Sequence, residues 1–217
     1  MSAALVIAGA LLTCGACLAA GLILFQKLGL RFYRQETWAL ALLTGSAIYS
    51  TFVFAILAAH LAYEWVFPAA SLAAIALCVQ RRAHVLHAPA FPPIPLRWRV
   101  VLTAGGLAFG TFYLMHAMAP ETSPDGSGYH LGLVARYLRQ RGFGAITTSL
   151  YASFPMGMEM LFLNAFSTGK HSAAATTHLC FLLALTAAIV QYGRRVGNTG
   201  AGVTAGLIVF ISPVFGV

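Results

Sequence analysis

Long apolar runs separated by short basic clusters are the dominant pattern along this chain. Ala3 to Phe25 is apolar without interruption, and its 23 residues suffice, at about 1.5 Å per helical residue, to cross a ~30 Å hydrocarbon core. No basic segment precedes it and no small-residue cleavage motif follows, so it reads as a retained span rather than a signal peptide. The same pattern predicts further spans over Trp38 to Ala62, Trp65 to Val79, Val100 to Met118 and Ala173 to Tyr192, and a sixth from about Gly200. Between the fourth and fifth lies a polar-richer stretch, residues 119–172, in which two shorter patterns appear. From about Ser127, Leu131, Val134, Ala135 and Leu138 recur at helical spacing, with Arg136, Arg139 and Arg141 on other positions. That predicts an amphipathic helix lying at the membrane surface. Met156 to Phe166 is apolar but too short to span, and predicts a second interfacial helix or a re-entrant one. The fold expected is an all-α integral membrane protein of about six spans, with one long loop bearing interfacial helices.

Composition agrees. The 217 residues are 59% hydrophobic and only 8% charged, with mean hydropathy +0.81, against roughly 25% charged in soluble domains. A soluble globular domain, a disordered chain and a nucleic-acid-binding module are excluded. The net charge of +8 is a matter of topology. Lys27, Arg31, Arg34, Arg81, Arg82, Arg97, Arg99, Arg194 and Arg195 all fall in segments that one orientation places on the cytoplasmic side, and these are nine of the thirteen basic residues. That orientation puts the N-terminus and the 119–172 loop outside. The cytoplasmic connection 83–96 contains Pro89, Pro92, Pro93 and Pro95 and is expected to be extended or irregular. His84 and His87 beside it form a two-ligand metal signal, weaker than a solvated linker. Cys14 and Cys17 spell C-x-x-C inside an apolar run, and the expectation is a helix contact rather than a redox site. Gly106/Gly110 and Gly202/Gly206 are expected to be close-packing faces. The chain stops at Ser212-Pro-Val-Phe-Gly-Val217 in or beside an apolar run, which suggests the N-terminal part of a longer protein.

The acids carry the chemistry. Glu36 and Glu64 fall at span ends, where solvation accounts for them, whereas Glu121, Asp125 and Glu159 share the outward loop. Asp125, just before the amphipathic helix, has two readings from spacing: a helix cap or turn residue, and a catalytic carboxylate. Ser127 is an alternative cap. Glu121 alone reads as a solvated loop acid.

Pro124-Asp125, then Tyr129-His130 and an amphipathic helix, followed by Tyr151-Ala-Ser-Phe-Pro-Met-Gly-Met-Glu-Met-Leu161, resembles the first extracytoplasmic loop of GT-C membrane glycosyltransferases, such as protein O-mannosyltransferases and lipid A aminoarabinose transferases. The resemblance covers about Leu114 to Tyr192. It implies transfer of a sugar from a polyprenyl-phosphate carrier to a glycan, lipid or protein acceptor, with Asp125 as general base, in the bacterial cytoplasmic membrane. Many members have two adjacent acids where this chain has Asp125-Gly126, which makes Glu121 the candidate supporting acid and leaves a divalent metal in question. Tyr129, His130, Arg136, Arg139 and Lys170 are the candidate substrate or phosphate contacts; for the basic ones a headgroup contact is the competing reading. The alternative to an enzyme is a non-catalytic multi-span protein: a scaffold for envelope assembly, or less readily a transporter, since the spans are short of ionisable residues.

Overall fold

A computed structural model describes residues 2–83, 89–153 and 156–212. Seven α-helices make up the bundle: α1 (Ala3–Leu28), α2 (Arg34–Ala58), α3 (Val66–Gln80), α4 (Leu96–Met118), α5 (Leu131–Gln140), α6 (Gly157–Arg195) and α7 (Thr199–Ile211). No strand occurs among the described residues. By length and composition α1, α2, α4 and α6 are long and apolar enough to cross a membrane, whereas α3 and α7, at 15 and 13 residues, are shorter apolar helices. Apart from α6, which starts at Gly157 rather than Ala173, the apolar helices lie within a few residues of the expected runs. His84, His87 and Pro213–Val217 lie outside the described residues.

α1 and α2 are held together by missing side chains. A Cβ on Gly21 would collide with the backbone of Ala41, and one on Gly45 with the carbonyl of Cys17, so the two backbones touch directly. Cys17 thus serves a helix contact, as its surroundings suggest, and Cys14 has Cys180 of α6 as its sulfur neighbour. α6 and α7 approach in the same way. Gly202 faces Gly193 and Val190, and Gly206 faces Val190 and Thr186. The Gly106/Gly110 face behaves otherwise: nothing lies within 4 Å of a Cβ on Gly106, and Gly110 meets only the edge of Phe210. The reason is the position of α4, which lies at the periphery with only 11% of its apolar window buried.

α6 is two helices in one run. Gly169 and Lys170 leave helical geometry, with Lys170 at φ 51° and ψ −147°. Beyond them the chain reverses: the rings of Phe162 and His178 come within 6.0 Å, where a straight helix would separate residues so spaced by about 24 Å. The first limb, residues 157–168, is the apolar segment expected as interfacial or re-entrant. Met160, Leu161, Leu163, Asn164 and Ala165 are all buried, in contact with α1, α2, α3 and α5 rather than lying on the surface. Asn164 ties this limb to three helices. Its Nδ2 donates to Thr13 Oγ1 (2.7 Å) and Ser71 Oγ (3.1 Å), and its Oδ1 accepts from Tyr49 Oη (2.9 Å). Thr13 gives its own proton to the Gly9 carbonyl, so toward Asn164 it can only accept, which fixes the amide orientation.

The basic clusters gather at one end of the bundle. There Arg195 clamps Glu36 through Nε and Nη2 (2.6 and 2.5 Å), Arg194 donates to the Pro92 carbonyl, and Gln26 donates to the Arg81 carbonyl. Glu36 is therefore a buried partner rather than a solvated helix end. Residues 89–95 have no regular structure and lie across this end, with Phe91 stacked on Tyr33 at 3.9 Å, as a proline-rich linker should. At the opposite end the Lys170–Glu64 ion pair (2.7 Å) and the Ala62 N–H to Arg141 carbonyl bond join the hairpin tip, the α2–α3 turn and α5.

Candidate functional site

The segment after α4 is organised by Ser123. Pro120 and Pro124 cannot continue α4, and Pro124 instead opens the next helical run, its fixed φ suiting the first helical position. Ser123 is the cap: its Oγ accepts from the Gly126 N–H at 3.0 Å. Its hydroxyl and N–H both donate to Glu121 Oε1, at 2.5 and 2.7 Å. The helical run thus begins at Pro124, a few residues ahead of the expected Ser127, and neither Asp125 nor Ser127 caps it. Ser127 donates back to the Ser123 carbonyl. Asp125 lies in the first turn, exposed, and makes no capping bond. The competing structural role for Asp125 is taken by another residue.

A π-helical turn over Gly126–His130 then leads into α5. Turns of this kind re-aim side chains and gather at functional sites. Here the turn delivers His130 to the first limb of α6, where Nδ1 lies 2.7 Å from Glu159 Oε1. An ionised carboxylate can only accept, so Nδ1 carries the proton and a neutral His130 keeps its lone pair on Nε2. Tyr129, the preceding residue, stacks on Tyr151 at 4.1 Å. Its phenol is pushed above the usual value by desolvation first, then by the charges of Asp125, Tyr151 and Glu159.

Asp125, Glu121, His130 and Glu159 open onto one cavity of about 360 Å³. Its other walls are Tyr113 and His116 at the end of α4 and both limbs of the hairpin, through Phe162, His178 and Leu182. The Glu121 carboxylate fills the space directly over Gly126, where any Cβ would strike it. The second acid is therefore beside Asp125-Gly126 in space, although four residues earlier in sequence. The Ser123 hydroxyl holds Glu121 below the ordinary carboxylate range, helped by the Ser123 N–H and by His116 and His171. Ser123→Ala should raise the Glu121 titration toward its ordinary value, read by infrared titration of the carboxylate band; an unchanged midpoint would contradict this role. Because the folded value is depressed, whatever stability this acid contributes is present above its unfolded value and lost as pH falls through the folded one.

The remaining candidates are elsewhere. Arg139 and Lys170 line a separate cavity at the hairpin tip, and Arg136, half-buried on α5, lines neither. His116 and His178 join the site without having been singled out from the sequence, and Glu159, noted there only as one of the three loop acids, joins it as the partner of His130. For Glu159 the available signal was an acid within the otherwise apolar run Met156 to Phe166. Among the described residues no three His, Cys, Asp or Glu side chains are grouped to hold a metal ion. The carboxylates a cation could meet at this cavity are Asp125, Glu121 and Glu159, of which Glu121 already accepts twice from Ser123 and Glu159 is paired with His130. Two bases thus face one cavity, a carboxylate free of structural duty and an imidazole oriented by an acid. Comparison with protein-family models, curated proteins and solved structures finds no match to this chain.

Proposed function

We propose that this chain transfers a sugar from a polyprenyl-phosphate carrier to an acceptor hydroxyl on the outer side of the membrane, with Asp125 as general base. The observation that carries the reading is the Asp125 carboxylate, exposed, without a hydrogen-bond partner among the described residues and relieved of capping by Ser123, at a cavity beside the end of a membrane-length helix. In this reading α3 and α7 are spans too, giving six. The basic end faces the cytoplasm, and the N-terminus and the 119–172 loop face outward from a bacterial cytoplasmic membrane. The acceptor O–H gives its proton to Asp125 as its oxygen bonds the anomeric carbon, and the anomeric C–O bond breaks with its electron pair leaving on the carrier phosphate. His130, held by Glu159, is the cation available to that phosphate once protonated. Arg139 and Lys170, on a different cavity, have no part in the step.

A photo-reactive polyprenyl-phosphate sugar tests this with the full chain in vesicles. Saturable labelling of the peptides around Asp125 or Glu159, displaced by unlabelled carrier, is expected. Absence of saturable labelling would sink the reading and leave a non-catalytic scaffold.

A further inference from the structure

At the end of the bundle that carries the hairpin tip lies a second cavity, of about 480 Å³, sharing no lining residue with the first. Three cations border it: Arg139 from α5, Arg141 from the C-terminal cap of the same helix and Lys170 from the tip. One carboxylate, Glu64, opposes them and is engaged by Lys170 at 2.7 Å. Among the described residues no carboxylate lies within ion-pair distance of Arg139 or Arg141, so the cavity carries an excess of about two positive charges. Arg141 and Lys170 both occupy positive φ, 58° and 51°, a conformation rare for residues with side chains. The floor is apolar, formed by Ala62, Leu138 and Phe166. Apolar below and cationic above is the chemistry of a bound amphiphile with an anionic head.

Depth in the bilayer narrows the ligand. The cavity is at the turn joining the end of α2 to the start of α3, and that turn exposes Tyr63 and Trp65, the latter 70% exposed. Exposed tyrosine and tryptophan flanking a span are the residues of the headgroup level, where their rings bridge acyl chain and water. Arginine forks match phosphate oxygens in bidentate fashion, and an arginine without a carboxylate partner at that level meets lipid phosphate first. Arg141 lies over the Tyr63 ring at 4.7 Å, a contact with the guanidinium face that leaves its N–H donors for phosphate. We infer that this cavity binds the phosphodiester headgroup of an anionic bilayer lipid, with Arg139, Arg141 and Lys170 on the phosphate and the acyl chain leaving over Leu138 and Phe166. The inference stands apart from glycosyl transfer and survives its failure.

Native mass spectrometry of the purified full chain in neutral detergent tests it, with dioleoylphosphatidylglycerol, dioleoylphosphatidylcholine and inorganic phosphate as separate probes. Wild-type protein should retain one phosphatidylglycerol at least about tenfold more tightly than phosphatidylcholine, because both carry the same phosphodiester but phosphatidylcholine adds a quaternary ammonium that the excess positive charge repels. Arg139→Gln/Arg141→Asn should erase that preference; asparagine tolerates the left-handed backbone at 141. Arg136→Gln, on the same helix but off the cavity, should keep it, and Glu64→Gln, which removes the competing anion, should strengthen it. Equal retention of the two lipids, or an unchanged preference in Arg139→Gln/Arg141→Asn, would overturn the site. Inorganic phosphate binding as tightly as phosphatidylglycerol would overturn the lipid in favour of free phosphate.

Discussion

Asp125→Asn should reduce sugar transfer by about 10²–10⁴-fold, the usual contribution of a positioned general base, while leaving membrane insertion unchanged. The two halves of that expectation come from one fact. Asp125 makes no capping bond in the structure, because Ser123 takes that role, so an isosteric amide removes proton affinity and little else. A residue that held its helix would fail both tests together. Transfer assayed in vesicles with the full chain, alongside protease accessibility for topology, separates the two. Undiminished transfer by Asp125→Asn removes it as the base; His130, whose Nε2 is left free by the Glu159 bond, is then the group to substitute. Both substitutions read the same cavity, so an enzyme indifferent to both has its chemistry elsewhere.

Asn164→Leu should destabilise the bundle by about 3 kcal/mol. Leucine is close in volume, so no large cavity forms; the cost is polar. Tyr49 and Thr13 lose their bonds to the amide, and Ser71 keeps only Tyr49, 2.9 Å away. Those three groups lie on α2, α1 and α3, and each is buried. Reversible unfolding from mixed micelles by a denaturing detergent measures the loss. A change below about 0.5 kcal/mol would show that the freed hydroxyls find other partners, as single hydrogen bonds within membranes often do. Because Asn164 and Glu159 share the same short limb, the substitution should also loosen the hold on His130.

The four membrane-length helices were legible because their signal is composition over some twenty residues, which tertiary contacts do not alter. The amphipathic α5 was legible for a related reason: Leu131, Val134 and Leu138 recur with helical spacing and are all buried. The reversal at Gly169-Lys170 was not. The flanking runs are helical in character on both sides, and the turn depends on a lysine in a backbone conformation that its side chain disfavours. What holds it there is tertiary: Gly169 is packed against Leu5 and Val6, and Lys170 is paired to Glu64. Asp125 was visible as a rare acid in a polar loop, but its release from capping rests on a serine two residues away that looks like any other. Glu121 and Asp125-Gly126 read as separate features until the backbone folds the carboxylate over the glycine. Glu159 could not be paired with His130 from spacing, since they are 29 residues apart on elements whose packing no local pattern encodes.

The contacts of α6 also set a timetable for synthesis. The α1–α2 contact at Gly21 and Gly45 needs nothing downstream and is available once α2 has emerged. Glu36, however, waits for Arg195, 159 residues later, which at about 5–20 residues per second is roughly 10–30 s. Tyr49 and Ser71 wait 115 and 93 residues for Asn164. Through that interval the early helices hold a buried-to-be acid without its arginine and two hydroxyls without their amide, exposed to whatever lipid, water or chaperone is at hand. Asn164 and Arg195 then arrive within a few seconds of each other on the two limbs of α6, so the polar contacts of α1, α2 and α3 close late and almost together.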